Sequence, residues 1–387
     1  MVLPPPVALP DFPWDTLAPY ADKARVHPGG LIDLSVGTPV DPTPAVVQVT
    51  LAAAAEAPGY PMTWGTAVLR ETIAAWFARR RGVPGIDPDG VLPTIGSKEL
   101  VAWLPTLLGL GRGDRVAYPA LSYPTYEVGV RLARATPVPF TGITELGPVT
   151  PATAPKLVWV NSPANPTGQV LGVDHLAKVV RWARRIGAVL ASDECYAELD
   201  WRDPSEGGAR GPGEPTGVPS ILDRRVCQGD PQGLLVVYSL SKQSNLAGYR
   251  AAFVAGDTEL VSRILQVRKH AGMMMPTPVQ RAMQAALTDD AHVVEQRSRY
   301  ARRRDVLTAA FTAAGYTVEH SEAGLYLWLT RGQDCWEAVD GLAARGILVA
   351  PGSFYGSLGA RHIRVALTAP DERVEQVAGR LLGEPGN

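Results

Sequence analysis

Residues 157–193 read LVWVNSPANPTGQVLGVDHLAKVVRWARRIGAVLASD. The stretch opens on an apolar run, Leu157–Val160, and closes near a second, Ala188–Ala191. Both are short and lie among turn-forming residues, the pattern of strands buried on both faces. Between them VDHLAKVVRWARRIG sets Leu176, Val179, Val180 and Ala183 at helical spacing, so one face is apolar and the other charged. A strand, an amphipathic helix and a second strand make the unit of a parallel sheet, whose crossovers need a covering helix. The runs Leu234–Tyr238 and Ala252–Ala255 continue the pattern. The fold expected is α/β, with a mostly parallel central sheet flanked by helices.

Working outward, residues 66–81 (TAVLRETIAAWFARRR) place Leu69, Ile73, Trp76 and Phe77 on one helical stripe. Ser97 is expected to cap a helix through KELVAWLPTLLGL, despite Pro105 inside it. Residues 202–219 are dense in Gly and Pro and read as a surface loop, because the strand pattern resumes after them. From about residue 278 the chain turns strongly helical, then ends with two strand-like pieces, LYLWL and HIRVAL, and a helix begun by Asp371. That change near 275 marks a second domain.

The chain has 387 residues, 46% of them hydrophobic, enough to bury a large core. Lys plus Arg number 37 against 38 Asp plus Glu, a net charge of −1. Such a balance gives no general pull toward nucleic acid or anionic membrane, so any anion site must be local. Cys195, Cys227 and Cys335 are too few and too scattered for a disulfide framework or a zinc site, and fit reduced thiols in a cytoplasmic protein. No metal is expected. The start, MVLPPPVALPDFPW, has neither the basic end nor the apolar stretch of a signal peptide, and no apolar run approaches the ~20 residues of a membrane span.

Four short motifs carry chemistry. In Ser239-Leu-Ser-Lys242-Gln-Ser-Asn-Leu-Ala-Gly-Tyr-Arg250, a lysine follows an apolar strand among hydroxyl residues and an arginine comes eight positions later. A lysine so placed forms a Schiff base if its surroundings lower its pKa, and the arginine grips a phosphate; the alternative is a surface turn. Asp193-Glu-Cys-Tyr196 follows a strand, where an acid faces the crevice in which such folds bind ligands; the alternative is a helix cap. Asn161-Ser-Pro-Ala-Asn165-Pro-Thr-Gly168 exposes an amide on a turn, or is a plain strand-to-helix connection. Thr94-Ile-Gly96-Ser97-Lys98-Glu99 opens a helix whose first N–H groups bind phosphate, or is an ordinary helix start.

Together and in this order these motifs resemble the fold-type I pyridoxal-phosphate enzymes of the class I/II aminotransferase group, from Asp33-Leu-Ser-Val-Gly37-Thr-Pro to Arg364. The resemblance implies pyridoxal 5′-phosphate as cofactor and a role for each matching residue. Lys242 holds the cofactor covalently and later moves a proton between substrate Cα and cofactor C4′. Asp193 pairs with the pyridine nitrogen, Asn165 and Tyr196 bond the ring's 3′-oxygen, and Tyr123 covers the ring face. Gly96, Ser97, Lys98, Ser239 and Arg250 surround the phosphate, and Tyr60 reaches the phosphate of a neighbouring subunit. Arg364 clamps the substrate α-carboxylate, with Gly37 beside it. The implied division is an N-terminal arm and part of a small α+β domain over 1–38, a large cofactor domain over 39–274, and the rest of the small domain over 275–387. Tyr60 and the Pro-rich arm imply a homodimer.

The strings FPWDTL, DLSVGTPVDP, PGYP, GSKELVAWLPTLLGLG, LGVDHLAKVVRWAR, VRKHAGMMMP and LVAPGSFYG resemble the actinobacterial succinyldiaminopimelate aminotransferases. That resemblance implies ping-pong transfer from glutamate to N-succinyl-2-amino-6-ketopimelate, leaving 2-oxoglutarate and N-succinyl-LL-2,6-diaminopimelate. A long substrate of this kind calls for a second clamp, for which Arg25, Lys269 and His270 are candidates. Three other readings stand beside it: a broader aspartate, aromatic or other aminotransferase; a β-lyase releasing ammonia and pyruvate; and a non-catalytic sensor. The sensor needs a DNA-binding module ahead of this fold, and only about thirty Pro-rich residues precede DLSVGTP.

Overall fold

A computed structural model describes residues 7–383 apart from 148, 204, 206–207 and 209–214. Thirteen strands occur among these residues. In chain order they are β1 Ile32–Asp33, β2 Val91–Ile95, β3 Arg115–Pro119, β4 Thr136–Phe140, β5 Leu157–Asn161, β6 Val189–Asp193, β7 Leu234–Ser239 and β8 Ala251–Gly256. The last five are β9 Thr317–Glu319, β10 Tyr326–Thr330, β11 Ile347–Leu348, β12 Ala350–Pro351 and β13 His362–Ala366.

Seven strands form the central sheet, in the order β2-β8-β7-β6-β5-β3-β4. All neighbours run parallel except β8, which is antiparallel to both β2 and β7. β5 and β6 are joined by the helix Val173–Ile186, which buries Leu176, Val179, Val180 and Ala183 as the pattern requires. The helix ends on Gly187 at φ +67°, a left-handed cap that glycine adopts without a Cβ penalty. Both edge strands contain proline, Pro93 in β2 and Pro137 and Pro139 in β4; an edge tolerates the missing N–H, a central position does not.

The helix Ala67–Arg81 buries Leu69, Ile73, Trp76 and Phe77, and Thr66 caps it by accepting from the Leu69 N–H. Its last turn also buries Arg80 and Arg81, which pair with the equally buried Glu198 and Glu194 at 2.6 and 2.7 Å. The expected cap at Ser97 is corrected: Ser97 is the first helical residue, Gly96 at φ +84° occupies the cap position, and no side chain caps the helix Ser97–Leu107. The loop expected over 202–219 lies partly outside the described residues; at its far end Thr216 is fixed to Ala197 and Arg80 by hydrogen bonds.

A second sheet, β12-β13-β10-β9, is antiparallel throughout. Near the start of the chain β1 pairs in parallel with β11, Ile32 opposite Ile347. The backbone then runs on beside β13, where Leu34 accepts from the Ala366 N–H at 2.8 Å. Residues 34–38 are thereby held between the C-terminal sheet and the ends of the central strands. No helix among the described residues is long and apolar enough to cross a membrane, and no group of three or more metal-binding side chains occurs there.

Candidate active site

The parallel register places Asn161 opposite Asp193, and Asp193 opposite Val237, so β5, β6 and β7 end side by side. In an open α/β sheet ligands bind outside these carboxyl ends. Here a cavity of about 400 Å³ opens there, and it collects Gly37, Ser97, Lys98, Tyr123, Asn165, Asp193, Tyr196, Ser239, Lys242, Arg250 and Arg364 in one wall set.

One end of the cavity suits an anion. The helix Ser97–Leu107 presents its first turn there, and the Lys98 and Arg250 side chains lie close enough that burial and the Arg250 charge together lower the Lys98 pKa. Two crowded cations without a carboxylate between them are relieved by a phosphate. The Ser239 and Ser241 hydroxyls, 2.8 Å apart, add polar groups beside them. Gly96 does not itself line the cavity, but its backbone packs under Arg250: a Cβ at that position would come within 2.7 Å of the guanidinium carbon.

At the other end Asp193 is buried, and burial pushes its carboxyl above the ordinary range. It accepts from Tyr126 Oη at 2.9 Å and from the Cys195 N–H at 3.1 Å. A protonated ring nitrogen would neutralise this charge, whereas no cationic side chain bonds to it among the described residues. Tyr126, itself fully buried against Trp159, fixes the carboxylate's orientation.

Lys242 projects from the turn after β7, and its ammonium donates to the Gly37 carbonyl. Burial lowers its pKa, and the Arg364 and Arg250 charges push the same way. Arg364, on β13, is 2% exposed. It donates to Asn165 Oδ1 at 3.1 Å and to the Ser35 carbonyl at 2.7 Å, and lies 3.7 Å over the Tyr326 ring. Burial alone would raise the Tyr326 phenol, but the Arg364 and Lys242 cations hold it below its ordinary value. Its hydroxyl is 3.3 Å from that of Tyr196, whose own pKa burial drives up.

Four expected residues fall elsewhere. Tyr60 does not line this cavity and is 98% exposed. Arg25 pairs with Asp22 at the surface, and Lys269 and His270 are exposed; none of these three lines the cavity. Sequence reasoning missed Phe12, Trp14, Cys195 and Tyr326, which do line it. Tyr326 lay in a segment read only as a strand, and register alone faces its ring toward Arg364.

Residues 30–381 match the family model for aminotransferase class I and II. The chain belongs to this family. Class I/II aminotransferases of this fold depend on pyridoxal 5′-phosphate, and the anion cradle, buried carboxylate and desolvated lysine fit that group. The chain is 57% identical over 374 residues to a probable aminotransferase of Mycobacterium tuberculosis, across 97% of this chain and 85% of the relative. It is 55% identical over 376 residues to the 4-dedimethylamino-4-oxo-anhydrotetracycline transaminase of Streptomyces rimosus, across 96% of this chain and 99% of the relative. A solved aminotransferase of Neisseria meningitidis superposes with a TM-score of 0.83 at 30% identity, over 97% of each chain.

Proposed function

We propose that this aminotransferase is a cytoplasmic homodimer that carries an amino group from glutamate to N-succinyl-2-amino-6-ketopimelate by ping-pong turnover. The observation that supports it is one cavity holding an anion cradle, a buried carboxylate, a lysine amine and a buried arginine fork together. The strings shared with succinyldiaminopimelate aminotransferases support the acceptor.

Pyridoxal 5′-phosphate, when bound, supplies an electron sink for the pair left at Cα. Lys98, Arg250, Ser97 and Ser239 would hold its phosphate, with the Gly96 backbone beneath. Asp193 would keep the ring nitrogen protonated, Asn165 and Tyr196 would meet the 3′-oxygen, and Tyr123 would cover the ring. Arg364 grips the substrate α-carboxylate through its planar fork, oriented by Ser35 and Asn165. Lys242 would hold the cofactor and, once freed, would take the Cα proton; its lowered pKa leaves more of the free amine that this needs.

Tyr60 is proposed to complete the phosphate site of a second copy. It protrudes beside Met62, 58% exposed, and Val49 on the helix Ala45–Ala53 is 70% exposed. The proposed division of the chain is an arm with part of the small domain over 1–38, the cofactor domain over 39–274 and the remaining small domain over 275–387. Light scattering that finds an active monomer would refute the dimer.

A second reading follows from the Streptomyces relative, whose name gives a polycyclic ketone as its acceptor. Acceptor profiling separates the two. The glutamate-charged enzyme is mixed with the succinylated keto acid, with 2-oxoglutarate, with oxaloacetate and with a polycyclic ketone, and the return of the cofactor's absorbance is timed. If aspartate–oxoglutarate exchange or the ketone outruns the succinylated acceptor manyfold, the proposed acceptor is wrong.

A further inference from the structure

Asn165 and Tyr196, the two side chains proposed for the cofactor's 3′-oxygen, are both tied to Arg364. One tie is direct. Arg364 Nη1 donates to Asn165 Oδ1 at 3.1 Å, and an arginine only donates, so the amide oxygen faces the fork and the Asn165 NH₂ is left for another acceptor. The second tie runs through Tyr326, which takes no part in the steps proposed for the reaction.

Tyr326 reaches this place by register. On β10 it stands opposite Ala366 of β13, while Arg364 stands opposite Trp328, so Tyr326 and Arg364 are diagonal neighbours on one face of the sheet. The guanidinium lies 3.7 Å over the centre of the Tyr326 ring. The Tyr326 hydroxyl is 3.3 Å from that of Tyr196, with the two rings edge to face at 5.7 Å. Gly37 closes the third side: a Cβ there would overlap the Tyr326 hydroxyl and come within 2.8 Å of its Cζ, and the Gly37 carbonyl accepts from Lys242. Tyr326 thus lines the cavity where Arg364, Tyr196 and Lys242 meet.

A phenol has one proton to give. Tyr326 Oη is the hydrogen-bond partner of Tyr196 Oη among the described residues. If Tyr196 donated to it, nothing would be left for a ligand. If Tyr326 donates, Tyr196 keeps its proton and gives it more readily, because hydrogen bonds in series strengthen one another. Electrostatics favour the second arrangement. The Arg364 and Lys242 cations hold the Tyr326 phenol below its ordinary range while burial drives Tyr196 above it, so Tyr326 is the better donor of the pair. Further titratable groups close enough to feel its charge, Tyr123, Tyr300 and Tyr355, are phenols as well.

We propose that Tyr326 is a positioning residue that joins the carboxylate clamp to the cofactor's 3′-oxygen: its ring seats the Arg364 fork, and its hydroxyl donates to Tyr196, which keeps its own proton for that oxygen. This rests on the roles proposed above for Tyr196 and Arg364, and adds the residue that connects them.

The test reads the cofactor-loaded enzyme by absorbance and not by turnover. Two quantities are measured: the pH midpoint of the bound cofactor's absorbance change, and the affinity for glutarate, which has the two carboxylates of glutamate and no amino group. A donor to the 3′-oxygen meets that oxygen's charge without a proton on the nitrogen joining Lys242 to the cofactor, and so keeps the midpoint low. Tyr326→Phe keeps the ring and removes the hydroxyl. Its midpoint should rise by about 0.4–1 unit, the worth of one neutral hydrogen bond, with glutarate affinity within about twofold. Tyr326→Leu removes ring and hydroxyl, and should in addition bind glutarate about 3- to 30-fold more weakly. A midpoint that stays or falls in Tyr326→Phe overturns the role of the hydroxyl, and equal glutarate affinity in the two variants overturns that of the ring. Tyr196→Phe, run alongside, should raise the midpoint at least as far, and adding Tyr326→Phe to it should change nothing more. No shift in Tyr196→Phe means that Tyr196 does not bond the 3′-oxygen, whereas a shift there and none in Tyr326→Phe refutes Tyr326 alone.

Discussion

Gly96→Ala isolates the geometry of the anion cradle. The added Cβ would sit 2.7 Å from Cζ of Arg250, against the roughly 3.5–4.0 Å of a comfortable carbon contact. The guanidinium must therefore withdraw by roughly an ångström, enough to spoil one hydrogen bond to a phosphate oxygen. A bond of that kind, with both partners charged, contributes about 1.5–3 kcal/mol, so the cofactor should bind about 10- to 150-fold more weakly. The backbone at φ +84° adds a second effect, about 1–2 kcal/mol of strain for a residue with a side chain. Gly85 separates the two. It has φ +82° and nothing within 4 Å of the methyl group an alanine would add, so Gly85→Ala carries the strain without the clash. Cofactor-free protein is titrated with pyridoxal 5′-phosphate by tryptophan quenching, and its stability is measured by urea unfolding. Both variants should lose similar stability, and only Gly96→Ala should lose affinity. A dissociation constant for Gly96→Ala within about twofold of the unsubstituted protein would refute the reasoning.

Other outcomes follow from the same geometry. Arg364→Lys replaces a fork with a point charge, so kcat/KM for glutamate should fall about 10- to 150-fold while cofactor affinity holds; equal loss of both would place Arg364 in a structural role. Lys242 has a lowered folded pKa, so the unfolded chain binds its proton more tightly, from about pH 10.4 downward. Lys242→Met should accordingly stabilise the cofactor-free protein at pH 7, and by less at pH 10; a destabilised variant at pH 7 contradicts this. His292, whose pKa burial lowers, sits between Asp289 and Ser244, and stability should fall as pH drops below about 6.5; His292→Gln should flatten that slope in urea titrations at successive pH values. Glu198→Gln leaves Arg80 buried without its counter-charge and should cost about 3–5 kcal/mol by denaturant unfolding, with activity per folded molecule retained.

Four of the five inner strands, β5, β6, β7 and β8, were legible because they are apolar without interruption, and the helix between β5 and β6 because its stripe is clean; β3 was not, since RVAYP opens on an arginine and closes on a proline. The edge strands were not: prolines in VLPTI and TPVPF break the strand signal at the two positions where a sheet tolerates them. Residues whose chemistry depends on sequence neighbours were found early, since Lys242, Asp193 and Asn165 each sit in a short motif at a strand end. Tyr326 and Trp14 were not, because a tyrosine in an apolar strand and a tryptophan in a Pro-rich arm read as packing until the third dimension brings them to Arg364 and to the cavity mouth. The same holds for Tyr126, whose bond to Asp193 crosses 67 positions.

The pairing of β1 with β11 has a bearing on how the enzyme comes to life on the ribosome. Residues 91–256 contain every strand of the central sheet, so the pairing behind the phosphate end of the site uses nothing synthesised after residue 256. Ser35, which orients Arg364, stays untethered until Ile347 and Ala366 have emerged to hold its neighbours. Chain order therefore separates the two halves of the site: the residues proposed to hold the phosphate lie within one stretch, while the grip on the amino acid needs both ends of the chain.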